Sequence, residues 1–184
     1  MNGFYIAIGQ QGTGKTAFIT KHIVDNWSID NKRKIFSNYT LYNVPYTAIT
    51  FDNDKEVKKG KLDILKTLSE DENFFNNSIM AIDEIHVYFS SSLWLSKNVR
   101  PIQTFFSQLR KRNILLLATS QFIIRVDPII RQQAKFVFDM ENTEGSVFKV
   151  NTSKIDGYYT KYISTNYFDL KKYFDYYDTN EIIH

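Results

Sequence analysis

The feature that most constrains this chain is the segment GQQGTGKT at residues 9–16, which follows the apolar run FYIAI and matches the pattern G-x-x-x-x-G-K-[ST]. Glycines in such a loop let successive backbone N–H groups turn inward around an anion, at the positive end of the following helix. After the loop, Ala17, Phe18, Ile23 and Trp27 broadly follow a helical spacing. A strand, a glycine-rich loop and a helix in this order predict a binding site for a nucleoside triphosphate.

The loop pattern also predicts how its residues would contact ATP and magnesium. Lys15 is expected to reach the β- and γ-phosphates, and the hydroxyl of Thr16 to hold Mg²⁺. The predicted nucleotide-binding segment comprises Gly9, Gln10, Gln11, Gly12, Thr13, Gly14, Lys15, Thr16 and Ala17.

Length and composition limit the remaining possibilities. The 184 residues, 43% of them hydrophobic, predict a single domain over residues 1–184 with a sizeable core. Cysteine is absent and the three histidines are scattered, which excludes disulfides and cysteine-based zinc sites and predicts ordinary packing or surface roles for the histidines. No apolar run approaches the roughly 18 residues of a membrane span, so we expect a soluble, intracellular protein without membrane insertion.

A second motif, SIMAIDEIHVYF, places two acidic residues directly after the apolar run Ile79–Ile82. A buried strand in a parallel sheet delivers such groups to the edge where the phosphates bind. Asp83 is therefore expected to hold Mg²⁺, usually through water, and Glu84 to orient and deprotonate an attacking water. One carboxylate for the metal and one for the water predict hydrolysis.

The third motif, RNILLLATSQF, contains the most apolar run of the chain, Ile114–Ala118, followed by polar residues. A polar side chain at the end of a central strand is suited to report whether the γ-phosphate is present. Gln121 is the preferred candidate, with Thr119 and Ser120 as alternatives.

The charge of the chain is unevenly distributed, although the net charge is only +3. From Ile85 to Val126 there is no acidic residue, whereas six basic residues fall in this stretch. Either this is an ordinary solvated face, or it contacts phosphates of nucleic acid or of a neighbouring subunit's nucleotide. The six are Lys97, Arg100, Arg110, Lys111, Arg112 and Arg125.

The three motifs, in this order, resemble those of the FtsK/HerA superfamily of P-loop ATPases, whose members pump DNA. More narrowly, the segments DEIHVYF, FFSQLRKRN, LLLATSQ and VDPIIRQQAKFVF resemble the genome-packaging ATPases of double-jelly-roll and archaeal viruses. They are also similar to the Zot-type ATPases that assemble filamentous phages. The resemblance covers roughly residues 1–140.

The resemblance implies an α/β P-loop NTPase fold with a mostly parallel central sheet, RecA/FtsK-like strand order and helices on both faces. The strand Ile114–Ala118 would lie between the phosphate-loop strand and the Asp83 strand. Residue patterns add a strand at KIFSN, a helix containing residues 102–110 and a strand pair joined around residues 142–145. A C-terminal helix is predicted because Leu170, Tyr173, Phe174 and Tyr177 are spaced to share one face, most simply a core or subunit contact.

The resemblance also implies partners. Hydrolysis in this superfamily is completed by an arginine of the neighbouring subunit, for which Arg110 and Arg112 are the first candidates and Arg131 the next. A homo-oligomeric ring, a pentamer or hexamer, would surround double-stranded DNA, with Lys97 and Arg100 facing the channel. A capsid vertex or a membrane protein is a further expected partner, and the expected location is the cytoplasm of an infected cell or, transiently, the virion vertex.

Three functions remain open from the sequence, and a non-hydrolysing assembly or scaffolding protein is disfavoured because every expected catalytic group is present. The leading one is an ATP-driven motor that packages a viral genome, favoured because Zot-type proteins typically continue into a transmembrane helix that is missing here. Phage assembly or secretion by a Zot-type ATPase is the second. A small-molecule kinase is the third, disfavoured because a carboxylate placed like Glu84 to activate water would waste ATP.

Overall fold

The strands and helices follow in an order typical of an α/β protein. The computed structural model describes residues 2–51, 60–90, 99–156 and 159–179. Its strands are β1 (Gly3–Ile8), β2 (Lys34–Ser37), β3 (Thr47–Thr50), β4 (Leu62–Asp63), β5 (Ser78–Ile82), β6 (Leu115–Ser120), β7 (Ala134–Glu144), β8 (Val147–Asp156) and β9 (Tyr159–Asp169). Its helices are α1 (Lys15–Ile29), α2 (Ile64–Glu70), α3 (Ile85–Tyr88), α4 (Val99–Gln108) and α5 (Pro128–Gln132), with 3-10 helices at Ile123–Arg125 and Lys171–Tyr176.

The nine strands of the described residues belong to one sheet, in the order β4-β3-β2-β5-β6-β1-β7-β8-β9. Every pairing from β4 to β7 is parallel, and β7, β8 and β9 form an antiparallel extension. The predicted fold class is thereby confirmed. The predicted position of the strand at residues 114–118 is confirmed too, because β6 pairs with both β1 and β5.

Alternate residues of the central strands face two separate hydrophobic clusters. Phe4 and Ile6 of β1 pack in a cluster with residues of α4 and α5, whereas Tyr5 and Ala7 pack in a cluster that contains Phe18 and other residues of α1. Helices therefore cover both faces, which explains why β5 and β6 are buried along their whole length and consist of nearly continuous apolar residues.

The C-terminal region departs from the sequence prediction. A third antiparallel strand, β9, was not predicted, because consecutive exposed residues such as Lys161, Tyr162 and Ile163 hide any alternation of polar and apolar side chains. The predicted α-helix is wrong: residues 171–176 form a 3-10 helix, and the chain is extended again at Tyr177, which bridges to Leu41. The predicted burial is nevertheless observed for Leu170 and Tyr173.

Smaller differences concern element ends and unpredicted strands. Helix α4 ends at Gln108 rather than at residue 110, and β3 and β4 were not predicted. Among the described residues, no helix is both long enough and apolar enough to cross a membrane.

Candidate functional site

The phosphate loop connects the end of β1 to the start of α1, and its shape depends on glycine. Gly9, Gly12 and Gly14 have φ angles of 143°, 79° and 76°, a region that other residues rarely adopt. A Cβ atom on Gly9 would lie 2.6 Å from the carbonyl oxygen of Met140. A Cβ atom on Gly14 would lie 2.8 Å from the ring of Phe148 on β8. The loop is thus packed against the antiparallel extension of the sheet.

The first turn of α1 offers unpaired donors to an anion. Its first backbone hydrogen bond joins the N–H of Phe18 to the carbonyl of Gly14 at 2.9 Å, so the N–H groups of Lys15, Thr16 and Ala17 have no partner within the helix. Gly14 supplies no side-chain cap. The positive end of a helix of 15 residues therefore faces the loop, as phosphate binding requires.

Lys15 is buried beside the loop, where its Nζ donates to the carbonyl of Gln10 at 2.9 Å. Burial lowers the pKa of Lys15, and the nearby carboxylates of Glu84 and Asp83 oppose this effect. The amine is held by a single backbone acceptor among the described contacts, so a phosphate oxygen could replace that acceptor as its partner.

Asp83 follows β5 and receives hydroxyl contacts from two other elements. The Thr16 hydroxyl donates to its two carboxylate oxygens, each at 3.3 Å, and the Thr119 hydroxyl of β6 donates to Oδ1. Burial raises the pKa of Asp83, whereas the hydrogen bond from Thr119 and the positive charge of Lys15 oppose the increase.

Asn38, which follows β2, fixes the backbone of Asp83. Its Oδ1 accepts from the N–H of Asp83 at 2.7 Å, and its Nδ2 donates to the carbonyl of Asp83 at 2.9 Å. The carboxylate is therefore oriented from strands on both sides of β5.

The oxygen atoms of Thr16 and Asp83 suit a magnesium ion. Mg²⁺ prefers oxygen ligands and is commonly bound through one or two protein groups together with substrate phosphates and water. In the part of the chain that the structure describes, no group of three or more His, Asp or Glu side chains could by itself hold a metal ion. A metal here would thus depend on phosphate and water for its remaining ligands.

Glu84 has a strained backbone and a partly buried side chain. Its φ of 51° lies in the left-handed region, which is uncommon for a residue other than glycine and is often found at functional sites. Its N–H donates to Thr119 Oγ1 at 2.9 Å, and its Oε2 lies 3.2 Å from Nδ1 of His86. Burial raises the pKa of Glu84, and the charges of Lys15 and Arg125 oppose the increase.

Gln121 lies directly beside the phosphate loop. Its carbonyl accepts from the N–H of Gly9 at 3.4 Å, and its Oε1 accepts from Nη1 of Arg125 at 3.2 Å. The exposed Arg125 also places its guanidinium 5.1 Å from the ring centre of Phe122. A polar pair, Gln121 and Arg125, therefore stands at the end of β6 next to the loop.

A cavity of about 640 Å³ adjoins the same side of the loop. Its lining combines loop residues, the segment after β6 and the end of β7, and it is large enough for the nucleoside part of a nucleotide. It is lined by Ile8, Gly9, Gln10, Thr13, Gln121, Phe122, Ile123, Ile124, Asp139, Met140, Glu141 and Asn142.

The structure does not bring two of the predicted trans arginines, Arg110 and Arg112, to this site. Arg110 and Arg112 precede β6, so they lie at the opposite end of the parallel strands from the loop. Arg110 is near the start of β1, where a Cβ atom on Gly3 would lie 3.3 Å from its side chain. Since β1 separates the two edges, the distance to the loop is roughly 17 Å. Neither arginine can reach the nucleotide of its own chain, and action on a neighbour's nucleotide stays a prediction.

The two candidate arginines at that edge also differ in their contacts. The Arg112 guanidinium donates to Gln108 Oε1 and to the backbone and carboxylate of Glu72, and its side chain is only 10% exposed. Arg110 is exposed and therefore better suited to reach another subunit. Arg131, on α5, lies with its Nη1 3.5 Å from the carbonyl of Ile123.

Two basic residues, Lys97 and Arg100, are predicted to face DNA. Lys97 lies outside the described residues, as does the side chain of Arg100.

Three residues of the site were not assigned to it from the sequence. Asn38 ends the segment KIFSN, so a polar residue at a strand end could have indicated its role. His86 was expected to be an ordinary packing or surface residue, but it contacts Glu84 and Ser120. Arg125 was noted only as part of the basic stretch, because the turn that directs it toward Gln121 depends on the 3-10 helix at residues 123–125.

With this geometry established, comparison with known proteins identifies the family. The sequence matches the family described as Zonular occludens toxin (Zot) over residues 3–180. This chain belongs to the Zot family. No curated protein matches its sequence. The predicted relationship is confirmed, with the Zot proteins, placed second in the sequence analysis, supplying the match at family level.

Solved structures share the fold of this Zot-family chain. The N-terminal domain of zonular occludens toxin from Neisseria meningitidis superimposes with a TM-score of 0.69 at 19% identity, covering 97% of this chain and 100% of that one. The DNA-packaging ATPase B204 from Sulfolobus turreted icosahedral virus gives a TM-score of 0.57 at 15% identity, covering 89% and 98%. The packaging NTPase B204 from Sulfolobus turreted icosahedral virus 2, in complex with AMP, gives 0.58 at 10% identity, covering 89% and 97%.

The contact between Gly14 and Phe148 generates a testable prediction for the loop. Gly14→Ala should destabilise the protein more than Gly12→Ala, by about 1–3 kcal/mol, because the new methyl group overlaps a buried ring only at residue 14. Gly12 is the matched control: its φ is equally positive, at 79°, but no atom lies within 4 Å of a Cβ placed there. Urea denaturation of both variants measures the difference, and equal losses would show that Phe148 does not constrain the loop.

Proposed function

We propose that this Zot-family chain is a magnesium-dependent ATPase. The observation that carries the proposal is the convergence of four groups at one edge of the sheet: the uncapped start of α1, buried Lys15, the Thr16–Asp83 pair and Glu84. This combination supplies anion binding, metal binding and a carboxylate for water in one place. The ATP-analogue complexes of the packaging NTPase B204, which has a similar fold, support the same assignment.

Different residues of the chain bind the phosphates, the metal ion and the nucleoside. The N–H groups of the loop and of the first α1 turn bind the phosphates, and Lys15 leaves its Gln10 acceptor to donate to the β- and γ-phosphates. Thr16 and, through water, Asp83 would hold Mg²⁺, whose charge would neutralise negative charge that develops during transfer. The cavity beside Gln121 receives the nucleoside.

Glu84 is the general base of the proposed reaction. Its carboxylate orients a water molecule against the γ-phosphorus and accepts a proton as the water attacks. The raised pKa of Glu84 brings this group closer to neutral pH, which favours proton transfer. Gln121 and Arg125, beside Gly9, contact the γ-phosphate or respond to its loss.

Hydrolysis is proposed in preference to the kinase reaction. A kinase must keep water away from the γ-phosphate. Here Glu84, whose carboxylate could activate water, follows Asp83, and its backbone N–H donates to Thr119 Oγ1. Membership of the Zot family also provides no support for a kinase.

The proposed work of the ATPase is translocation of double-stranded DNA by a homo-oligomeric ring, a pentamer or a hexamer. The acid-free stretch from residue 85 to 126 and the likeness of the fold to two viral packaging enzymes support it. Genome packaging is one use of such a motor, with a capsid vertex as the partner and the infected cell's cytoplasm or the virion vertex as the location. The family match gives phage assembly or secretion, with a membrane-protein partner, comparable support.

The first prediction tests hydrolysis. Glu84→Gln should keep ATP and Mg²⁺ binding but lose turnover by at least about a hundredfold, because the amide cannot accept the proton. Glu70→Gln is the matched control, since that glutamate is exposed on α2 and forms an ion pair with Lys66, away from the loop. Phosphate release and binding of a fluorescent ATP analogue provide the two measurements. Near-normal phosphate release by Glu84→Gln would exclude Glu84 as the base.

The second prediction tests DNA as the substrate of the motor. Double-stranded DNA should stimulate hydrolysis independently of sequence, and binding should weaken steeply as salt rises because phosphate contacts release counterions. Lys97→Ala with Arg100→Ala should reduce that salt dependence, whereas Lys66→Ala with Lys171→Ala removes equal charge from exposed positions and serves as the control. An active ATPase with no DNA binding at low salt would favour the assembly function over translocation.

The third prediction separates arginines that act within a chain from those that act between chains. In a mixed ring, Arg110→Ala and Glu84→Gln subunits should restore hydrolysis, since one interface then has an intact glutamate from one chain and an intact arginine from the other. Arg125→Ala mixed with Glu84→Gln should give no rescue, because Arg125 acts on the same nucleotide as Glu84 of its own chain. Rescue by Arg125→Ala instead would assign the trans role to Arg125.

A further inference from the structure

His86 is placed between Glu84 and the end of β6. Its Nδ1 lies 3.1 Å from Ser120 Oγ and 3.2 Å from Glu84 Oε2. The side chain of His86 is 16% exposed, and Ser120 is fully buried. A single ring nitrogen therefore faces both the candidate base and the central strand.

The hydrogen bonds around Ser120 determine which ring nitrogen carries the proton. The Ser120 hydroxyl donates to the carbonyl of Phe122 at 3.0 Å, so its oxygen has only acceptor capacity left for the imidazole. The His86 Nδ1 must then carry the hydrogen and donate it to Ser120 Oγ.

Glu84 Oε2 is the second acceptor near the His86 Nδ1–H group, but the two form no hydrogen bond. Glu84 Oε2 is buried and makes no hydrogen bond within the described part of the chain, although His86 Nδ1 is close. A buried carboxylate oxygen without a hydrogen bond is costly. A small rotation of the imidazole would move its N–H from Ser120 to Glu84 and remove that cost.

We propose that His86 is a positioning residue for Glu84, whose carboxylate it orients by moving one N–H between Ser120 Oγ and Glu84 Oε2. This inference rests on the proposed ATPase function. When the N–H binds Glu84, the carboxylate is held for attack by water; when it binds Ser120, the carboxylate is free to turn.

The hydrogen bonds at the end of β6 indicate which event moves the His86 N–H between its two acceptors. Ser120 adjoins Gln121, whose carbonyl accepts from Gly9 in the phosphate loop, and follows Thr119, which accepts from the N–H of Glu84. A displacement of the strand end on binding or loss of the γ-phosphate therefore changes the distance between Ser120 and His86. In this way binding or loss of the γ-phosphate changes the orientation of the Glu84 carboxylate.

The test compares three variants on α3 in the full chain. His86→Ala should lower kcat for ATP by about 10- to 100-fold through misorientation of the base, with KM and the Kd for ATP nearly unchanged. His86→Asn places an amide N–H near the position of Nδ1 and should recover most of that loss. Val87→Ala, at a neighbouring position that is 45% exposed, is the control and should behave as the wild type.

A double-mutant cycle separates positioning from a general loss of structure. In the Glu84→Gln background, His86→Ala should cause no further decrease in the residual rate, because its effect acts through the Glu84 carboxylate. Equal decreases in both backgrounds, or equal loss in His86→Asn and His86→Ala, would overturn the proposal. Wild-type protein without ATP hydrolysis would overturn the proposed function and this inference together, whereas an active wild type with unchanged His86→Ala would overturn this inference alone.

Discussion

The structure depends most on the burial of one carboxylate, Asp83, at the carboxyl edge of a parallel sheet. Burial of a charge is costly unless hydrogen bonds and opposite charge compensate it. Here the compensation comes from Thr16 in α1, Thr119 in β6 and the charge of Lys15, while Asn38 after β2 holds the backbone. The strand order β2-β5-β6-β1 brings these partners together, so the candidate metal site depends on the topology of the sheet.

The phosphate loop depends on a different part of the sheet. Gly9 approaches the backbone of Met140 in β7, and Gly14 approaches Phe148 in β8, so the antiparallel extension fixes the path of the loop. Phe148 in turn packs edge-on against Phe174 of the C-terminal 3-10 helix, with ring centres 6.5 Å apart. Residues beyond the recognisable motifs therefore support the geometry that binds phosphate.

The distribution of polar groups along the sheet has a consequence for assembly. Groups that could bind and hydrolyse ATP meet at one edge, whereas Arg110 lies exposed at the other, too far to reach the nucleotide of its own chain. The proposed ring is the arrangement in which Arg110 would act, on the nucleotide of a neighbouring chain. Arg125 offers a contrasting arrangement, since it donates to Gln121 next to the loop and its positive charge opposes the increase in the pKa of Glu84 in the same chain.

The sequence by itself determined the phosphate loop and the two carboxylates after β5, because each depends on residues adjacent in the chain. The parallel fold was implied by the family resemblance that these motifs carry. Spacing around Gly9–Thr16 and the apolar runs before Asp83 and Gln121 carry that information locally. Only the tertiary structure decided that Asn38, His86 and Arg125 join the site, that Arg110 and Arg112 lie at the opposite edge, and that β9 completes the sheet. These features arise from contacts between distant segments, and β9 in particular lacks the alternation that would have revealed it, since its edge position leaves consecutive side chains exposed.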